Sequence, residues 1–175
     1  VNGFDYSIYT AWEFDNGSLN YDRTGKSAAG NQNYCYLAGG TGGVVGTIIE
    51  RIDYSNDTPK ASFKGNLIAG KSYLAATGNA SFGYFGGGNS RIERVDYSND
   101  TATAVETGPL TAPRSQLSAT GNQNFGYWIG GSPTPAVIER VDYSNDTATA
   151  SPKGPLANGS RLSSAVSAGE YGLPN

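Results

Sequence analysis

The chain has 175 residues, with 12 Lys and Arg against 15 Asp and Glu, a net charge of −3, 25 Gly, one Cys and neither His nor Met. That length is room for one ordinary domain, and a charged share of 15%, against roughly 25% in an average soluble domain, argues against a generic helical protein. The acidic balance and the lack of any Lys/Arg cluster argue against nucleic-acid binding. The absence of His and the single Cys35 remove the commonest general base, the commonest metal ligand, an internal disulfide and a thiolate zinc cage.

Taken from the N-terminus, the chain begins at Val1 with no leader-like segment, and Asp5-Tyr6-Ser7 already matches Asp53-Tyr54-Ser55 further along. A worn block, Gly30-Asn31-Gln32-Asn33-Tyr34-Cys35-Tyr36-Leu37-Ala38-Gly39-Gly40, comes next. The apolar stretch around Gly42 to Ile49 is far short of the roughly 18 residues of a membrane helix, so no membrane insertion is expected. The segment Ile49-Glu50-Arg51-Ile52-Asp53-Tyr54-Ser55-Asn56-Asp57-Thr58 returns as Ile92 to Thr101 and as Ile138 to Thr147, with only Ile52 exchanged for Val95 and Val141. Ala76-Thr77-Gly78-Asn79 followed by Phe82-Gly83-Tyr84-Phe85-Gly86-Gly87 returns as Ala119-Thr120-Gly121-Asn122 and Phe125-Gly126-Tyr127-Trp128-Ile129-Gly130. The period is about 43 to 48 residues. Repeats run over 21–68, 69–111 and 112–158, flanked by half-repeats at 1–20 and 159–175, all within one array.

Within a repeat, apolar and aromatic residues alternate with period two between Gly, Pro and Asn-Asp clusters, which predicts about four short antiparallel strands and no helix. In Ile92 to Tyr97 the alternation places Glu93, Val95 and Tyr97 on one face and Arg94 and Asp96 on the other, leaving Arg94 and Asp96 to pair or to meet an adjacent strand. Ser-Asn-Asp-Thr reads as a capped turn and Ala-Thr-Ala as a short outer strand. Cys35 stands where the other repeats have Gly83 and Gly126, and reads as a buried small residue.

The order Phe-Gly-Tyr-x-x-Gly-Gly, Ile-Glu-Arg-Val-Asp-Tyr, then Gly-Pro-Leu followed by Arg114 resembles the kelch repeat over nearly the whole chain. That resemblance implies an all-β fold, a β-propeller of four-stranded blades. The chain departs from it in having Ala102, Ala104, Ala148 and Ala150 where kelch blades usually carry Trp. The wording Asp-Tyr-Ser-Asn-Asp-Thr-Ala-Thr-Ala also resembles repeat arrays of tailed-phage fibre and adhesin-like proteins. Three full repeats and two halves leave three arrangements open: part of a longer chain, which is favoured, a four-bladed ring closed by pairing 1–20 with 159–175, or a ring shared between subunits.

Catalysis is not expected. Kelch-like copper oxidases require His ligands that this chain lacks, and the carboxylate pairs Asp53/Asp57, Asp96/Asp100 and Asp142/Asp146 recur in every repeat, as structural units do and catalytic pairs do not. The Asp pairs are read as capped turns before Ca²⁺ ligands, and no cofactor or metal is assigned. Repetition favours a multivalent binding surface, and 12 Tyr, 6 Phe and 2 Trp among many Asn, Ser and Thr suit a glycan. The candidate ligand-binding residues are Trp12, which has no counterpart, Ser132 and Thr134 in a segment that varies between repeats, and the recurring cations Arg23, Lys71, Arg114 and Arg161. The kelch resemblance implies that these cations face a channel mouth; pairing with neighbouring acids is the competing reading. The expected protein is an extracellular or virion-surface recognition module for a host-surface glycan or protein, assembled with other subunits. The alternative is a structural virion or filament component with no specific ligand.

Overall fold

The computed structural model describes residues 2–4, 13–15, 17–41, 46–134 and 136–166. Each repeat folds as one antiparallel meander. The first sheet comprises β3 (Ser27–Gly30), β4 (Tyr34–Ala38), β5 (Ile48–Asp53) and β6 (Ser62–Asn66), in that spatial order, and is preceded by a two-stranded pair, β1 (Asn2–Phe4) and β2 (Glu13–Asp15). The second holds β7 (Ala75–Gly78), β8 (Phe82–Gly86), β9 (Ile92–Asp96) and β10 (Val105–Glu106), and the third β11 (Ser118–Gly121), β12 (Phe125–Ile129), β13 (Ile138–Asp142) and β14 (Ser151–Pro152). The all-β expectation of four strands per full repeat holds. No helix among the described residues is long and apolar enough to cross a membrane.

The local chemistry explains these bounds. Asn79 Oδ1 accepts from the amides of Ser81 and Phe82, both at 2.9 Å, which closes the turn between β7 and β8. Asn31 and Asn122 do the same in their repeats. After β9, Asp96 caps a single 3-10 turn, Tyr97–Asn99, through the Ser98 amide at 2.8 Å and hydroxyl at 2.6 Å. The outer strand begins later than expected. Ala102 and Ala104 belong to the approach, where the Ala104 amide donates to Asn66 O of the preceding sheet, and pairing resumes only at Val105.

The core lies between sheets. Tyr36, Ala38, Ile49 and Leu67 of the first repeat pack against Leu74, Phe85, Val95 and Ala104 of the second. Ala75, Tyr84, Ile92 and Leu110 of the second pack against Leu117, Trp128, Val141 and Ala150 of the third. No sheet buries its apolar face alone, so each depends on its neighbour. Two stacked tyrosine pairs mark the junctions, Tyr36 with Tyr97 at 4.7 Å and Tyr84 with Tyr143 at 4.5 Å between ring centroids.

The loops joining successive sheets form their own ladder. The Tyr73 amide donates to Gly25 O, Gln116 to Tyr73 O and Leu162 to Gln116 O, at 2.8, 2.8 and 2.9 Å. All four residues have positive φ, from 50° to 67°.

Candidate functional site

The recurring cations lie inside the protein. Arg23 pairs with Glu50, and Arg114 with Glu139, in contacts with no side-chain exposure above 1%; Lys71 Nζ lies 3.1 Å from Glu93 Oε1 with both side chains at 0%. The same guanidiniums donate to backbone carbonyls, Arg23 to Gly39 and Ile48, Arg114 to Gly130 and Val137, while Lys71 donates to Arg91 O at 2.7 Å. Burial pulls the Lys71 ammonium below its ordinary value, against the attraction of Glu93. Each acid also receives the segment arriving from the preceding repeat, through the amides of Asn20, Ile68 and Thr111. Of the two readings of Arg23, Lys71 and Arg114, the pairing with acids is what the structure contains. Each cation is held by groups of its own repeat, with side chains at 0–1% exposure, and it is the paired Glu that meets the preceding segment.

Arg161 is different. Gly40 N donates to Lys71 O and Gly131 N to Ser160 O, each at 2.8 Å, so Ser160 occupies the recurring cation position and Arg161 falls one residue later. The chain has one more residue between Gly154 and Arg161 than between Gly108 and Arg114, which puts Arg161 out of register. Its side chain is exposed. Ser132 and Thr134 lie on the same rim. Ser132 exchanges backbone hydrogen bonds with Ser115 at 2.8 and 3.1 Å, and Gly131 contacts Ser160 next to Arg161. Trp12 lies outside the described residues. Trp128 is 0% exposed, in the core between the second and third sheets.

The turn Asp residues divide their labour. Asp53, Asp96 and Asp142 cap their turns, and hydrogen bonds from Ser55, Ser98 and Ser144 hold their carboxyls below the usual range. Asp100 and Asp146 reach back to the previous sheet. Asp100 Oδ2 accepts from Tyr36 Oη at 2.9 Å and Arg51 at 2.8 Å, with Lys64 3.3 Å from Oδ1. Asp146 Oδ2 accepts from Tyr84 Oη at 2.9 Å and Arg94 at 2.6 Å. Arg94 therefore pairs across the junction and not with Asp96. Burial, then the adjacent carboxylate, pushes the Tyr36 and Tyr84 hydroxyls far up. Cys35 is half-buried rather than fully enclosed, and burial raises its thiol.

A cleft of about 370 Å³ opens on the rim of the Asn-closed turns, between the second and third sheets. Asn79, Gln123 and Asn124 supply amides, Asp142 and Ser144 a carboxylate and a hydroxyl, and Phe125 and Tyr143 rings. Arg140 covers the Phe125 ring at 4.2 Å, and Tyr143, pushed up to about 12 by burial, donates weakly to Thr77 at 3.4 Å. The cleft carries no signal of its own in the sequence, because Asn79 and Asp142 belong to turns that recur in each full repeat. Among the described residues no group of three or more His, Cys, Asp or Glu side chains is placed to hold a metal ion. No protein-family model matches the chain, and no curated protein matches its sequence.

Proposed function

We propose that the chain is a non-enzymatic recognition module, a propeller of kelch-like four-stranded blades displayed outside a cell or on a virion, that binds a host-surface glycan. The observation carrying this reading is the composition of the cleft between the second and third sheets. Amides, a carboxylate and a hydroxyl surround aromatic ring edges in about 370 Å³, a volume that suits one or two sugar rings. Neutral donors and acceptors match sugar hydroxyls, and the ring edges of Phe125 and Tyr143 give the cleft apolar surface for C–H groups.

The other rim supports the same reading, because the exposed Arg161 and the divergent segment at Ser132 and Thr134 sit side by side there. The test is a glycan array followed by calorimetric titration of any hit. Gln123→Ala and Asn124→Ala are expected to weaken binding tenfold or more at unchanged melting temperature. Replacement of 132–136 by Gly-Ser is expected to alter selectivity or affinity. An array without hits, with assembly into larger particles retained, would support a purely structural component.

A further inference from the structure

We infer that the cleft between the second and third sheets selects glycans carrying a 2-acetamido sugar, with the carboxamides of Gln123 and Asn124 and the carboxylate of Asp142 reading the acetamido group. The inference rests on the glycan reading above.

The fold does not use the Gln123 and Asn124 side chains. Their turn is closed by Asn122, whose Oδ1 accepts from the Asn124 and Phe125 amides, both at 2.9 Å. Asn79 closes the corresponding turn of the second repeat at the same distances, with Ala80 and Ser81 in the two positions. Two small residues therefore serve the turn as well as two carboxamides do. Among the described residues neither the Gln123 nor the Asn124 side chain makes a hydrogen bond, and both line the cleft, where each offers two N–H donors and a carbonyl acceptor.

The remaining polar groups are partly engaged. Asn79 Oδ1 is taken by its own turn, and Nδ2 lies 3.4 Å from Gln123 O. Asp142 Oδ1 accepts from the Ser144 amide at 2.9 Å and hydroxyl at 2.6 Å, which leaves Oδ2 as an acceptor without a bond among the described residues. Those Ser144 bonds, assisted by Arg140, hold the Asp142 carboxyl below its usual range, so it is ionised at neutral pH. No Lys or Arg is among the described residues that line the cleft, and Arg140, over the Phe125 ring at 4.2 Å, is balanced by Asp142. A carboxylated sugar would face the Asp142 charge with no cation in the lining to offset it.

The rings constrain the apolar part of the ligand. One face of Phe125 lies under Arg140 and one face of Tyr143 is stacked on Tyr84 at 4.5 Å, so the cleft meets ring edges and not an open platform. Edges suit a methyl group, whereas stacking of a whole pyranose needs a broad ring face. A 2-acetamido group carries all three complements in one substituent. Its N–H donates to Asp142 Oδ2, its carbonyl accepts from Gln123 or Asn124, and its methyl covers the ring edges. A hydroxyl at the same carbon offers donor and acceptor on a single atom and no methyl.

Calorimetric titration with oligosaccharide pairs that differ only at C2 tests the inference: the N-acetylglucosamine trimer against the glucose trimer of the same linkage, and the corresponding pair of N-acetylgalactosamine and galactose. At least one acetamido member is expected to bind about tenfold tighter than its hydroxyl partner, and uronate trimers to bind more weakly still. Gln123→Ala with Asn124→Ser copies the turn of the second repeat, so it keeps the fold, and it is expected to remove most of that preference at an unchanged melting temperature. Asp142→Asn retains a side-chain oxygen for the Ser144 cap and is expected to narrow the discrimination against uronates. Equal affinity within both pairs, or a preference that survives the double variant, overturns the inference. Tighter binding of the 2-amino glucose trimer than of its acetamido form also overturns it, by assigning the selectivity to the Asp142 charge alone. Hydroxyl sugars that bind without an acetamido preference, and are weakened by Gln123→Ala, leave the recognition module standing while this inference fails; binding of no glycan at all ends both.

Discussion

Replacement of Asp146 by Ala isolates the force that holds the second sheet to the third. The substitution leaves the Tyr84 hydroxyl, on a residue 0% exposed, without its acceptor at 2.9 Å, which costs about 1–3 kcal/mol. Arg94 loses its partner too, but its side chain is 29% exposed and water replaces the carboxylate, so that part is about 1 kcal/mol or less. The total of about 1–4 kcal/mol corresponds to a melting temperature lowered by about 2–16 °C for a chain of this size. Urea unfolding followed by intrinsic fluorescence, to which the buried Trp128 contributes, measures the change. Tyr84→Phe removes the orphaned hydroxyl, so the double variant should regain about 1 kcal/mol relative to the sum of the single losses. A loss below about 0.5 kcal/mol for Asp146→Ala, or strict additivity with Tyr84→Phe, would refute the assignment of this carboxylate as an inter-sheet staple.

Gly108→Ala should lower stability by about 1–3 kcal/mol or more, because its Cβ would overlap the Ala148 carbonyl and backbone has no rotamer to yield; a melt within about 0.5 kcal/mol of the parent would show that the sheets are not in such close approach. Alkaline titration should show a subset of tyrosines that ionise only on unfolding. Burial raises Tyr143 to about 12, and Tyr36, Tyr84 and Tyr97 further. Their folded values lie above the unfolded value of 10.0, so the stability they contribute is full below about pH 10 and is lost as pH rises through the folded values. Absorbance at the tyrosinate band should therefore rise in a step coincident with loss of structure; smooth ionisation of every tyrosine near pH 10 with the fold intact would contradict the packing described.

The strands were legible because their signals are local. Phe82-Gly83-Tyr84 carries its alternation within three residues, and Asn79 and Asp96 close turns through amides two or three residues away. The junctions were not legible for the opposite reason. The Asp146 side chain reaches Tyr84 across more than one full repeat, a separation that no periodicity within a strand encodes. Glu93 was assigned to a mixed face, yet it is 0% exposed, and its only sequence signal was that Glu50, Glu93 and Glu139 recur alongside the cations. Arg161 was misplaced because matching residue types outweighed spacing, and a single added residue moves a side chain from the interior to the surface. The cleft at Gln123 was hidden because its walls come from two repeats and its polar groups also serve the turns.

The staples also have a direction. Tyr97 and Asp100 reach toward the first sheet, and Tyr143 and Asp146 toward the second. A junction of this kind is made once for every repeat added, and duplicating or deleting one whole genetic unit rejoins a Tyr-Asp plug to an identical socket. Lineages carrying such a gene can therefore change the number of repeats by unequal recombination without inventing a new interface. The loops at Ser132 and Asn89, which bear none of the plug residues, are free to diversify meanwhile.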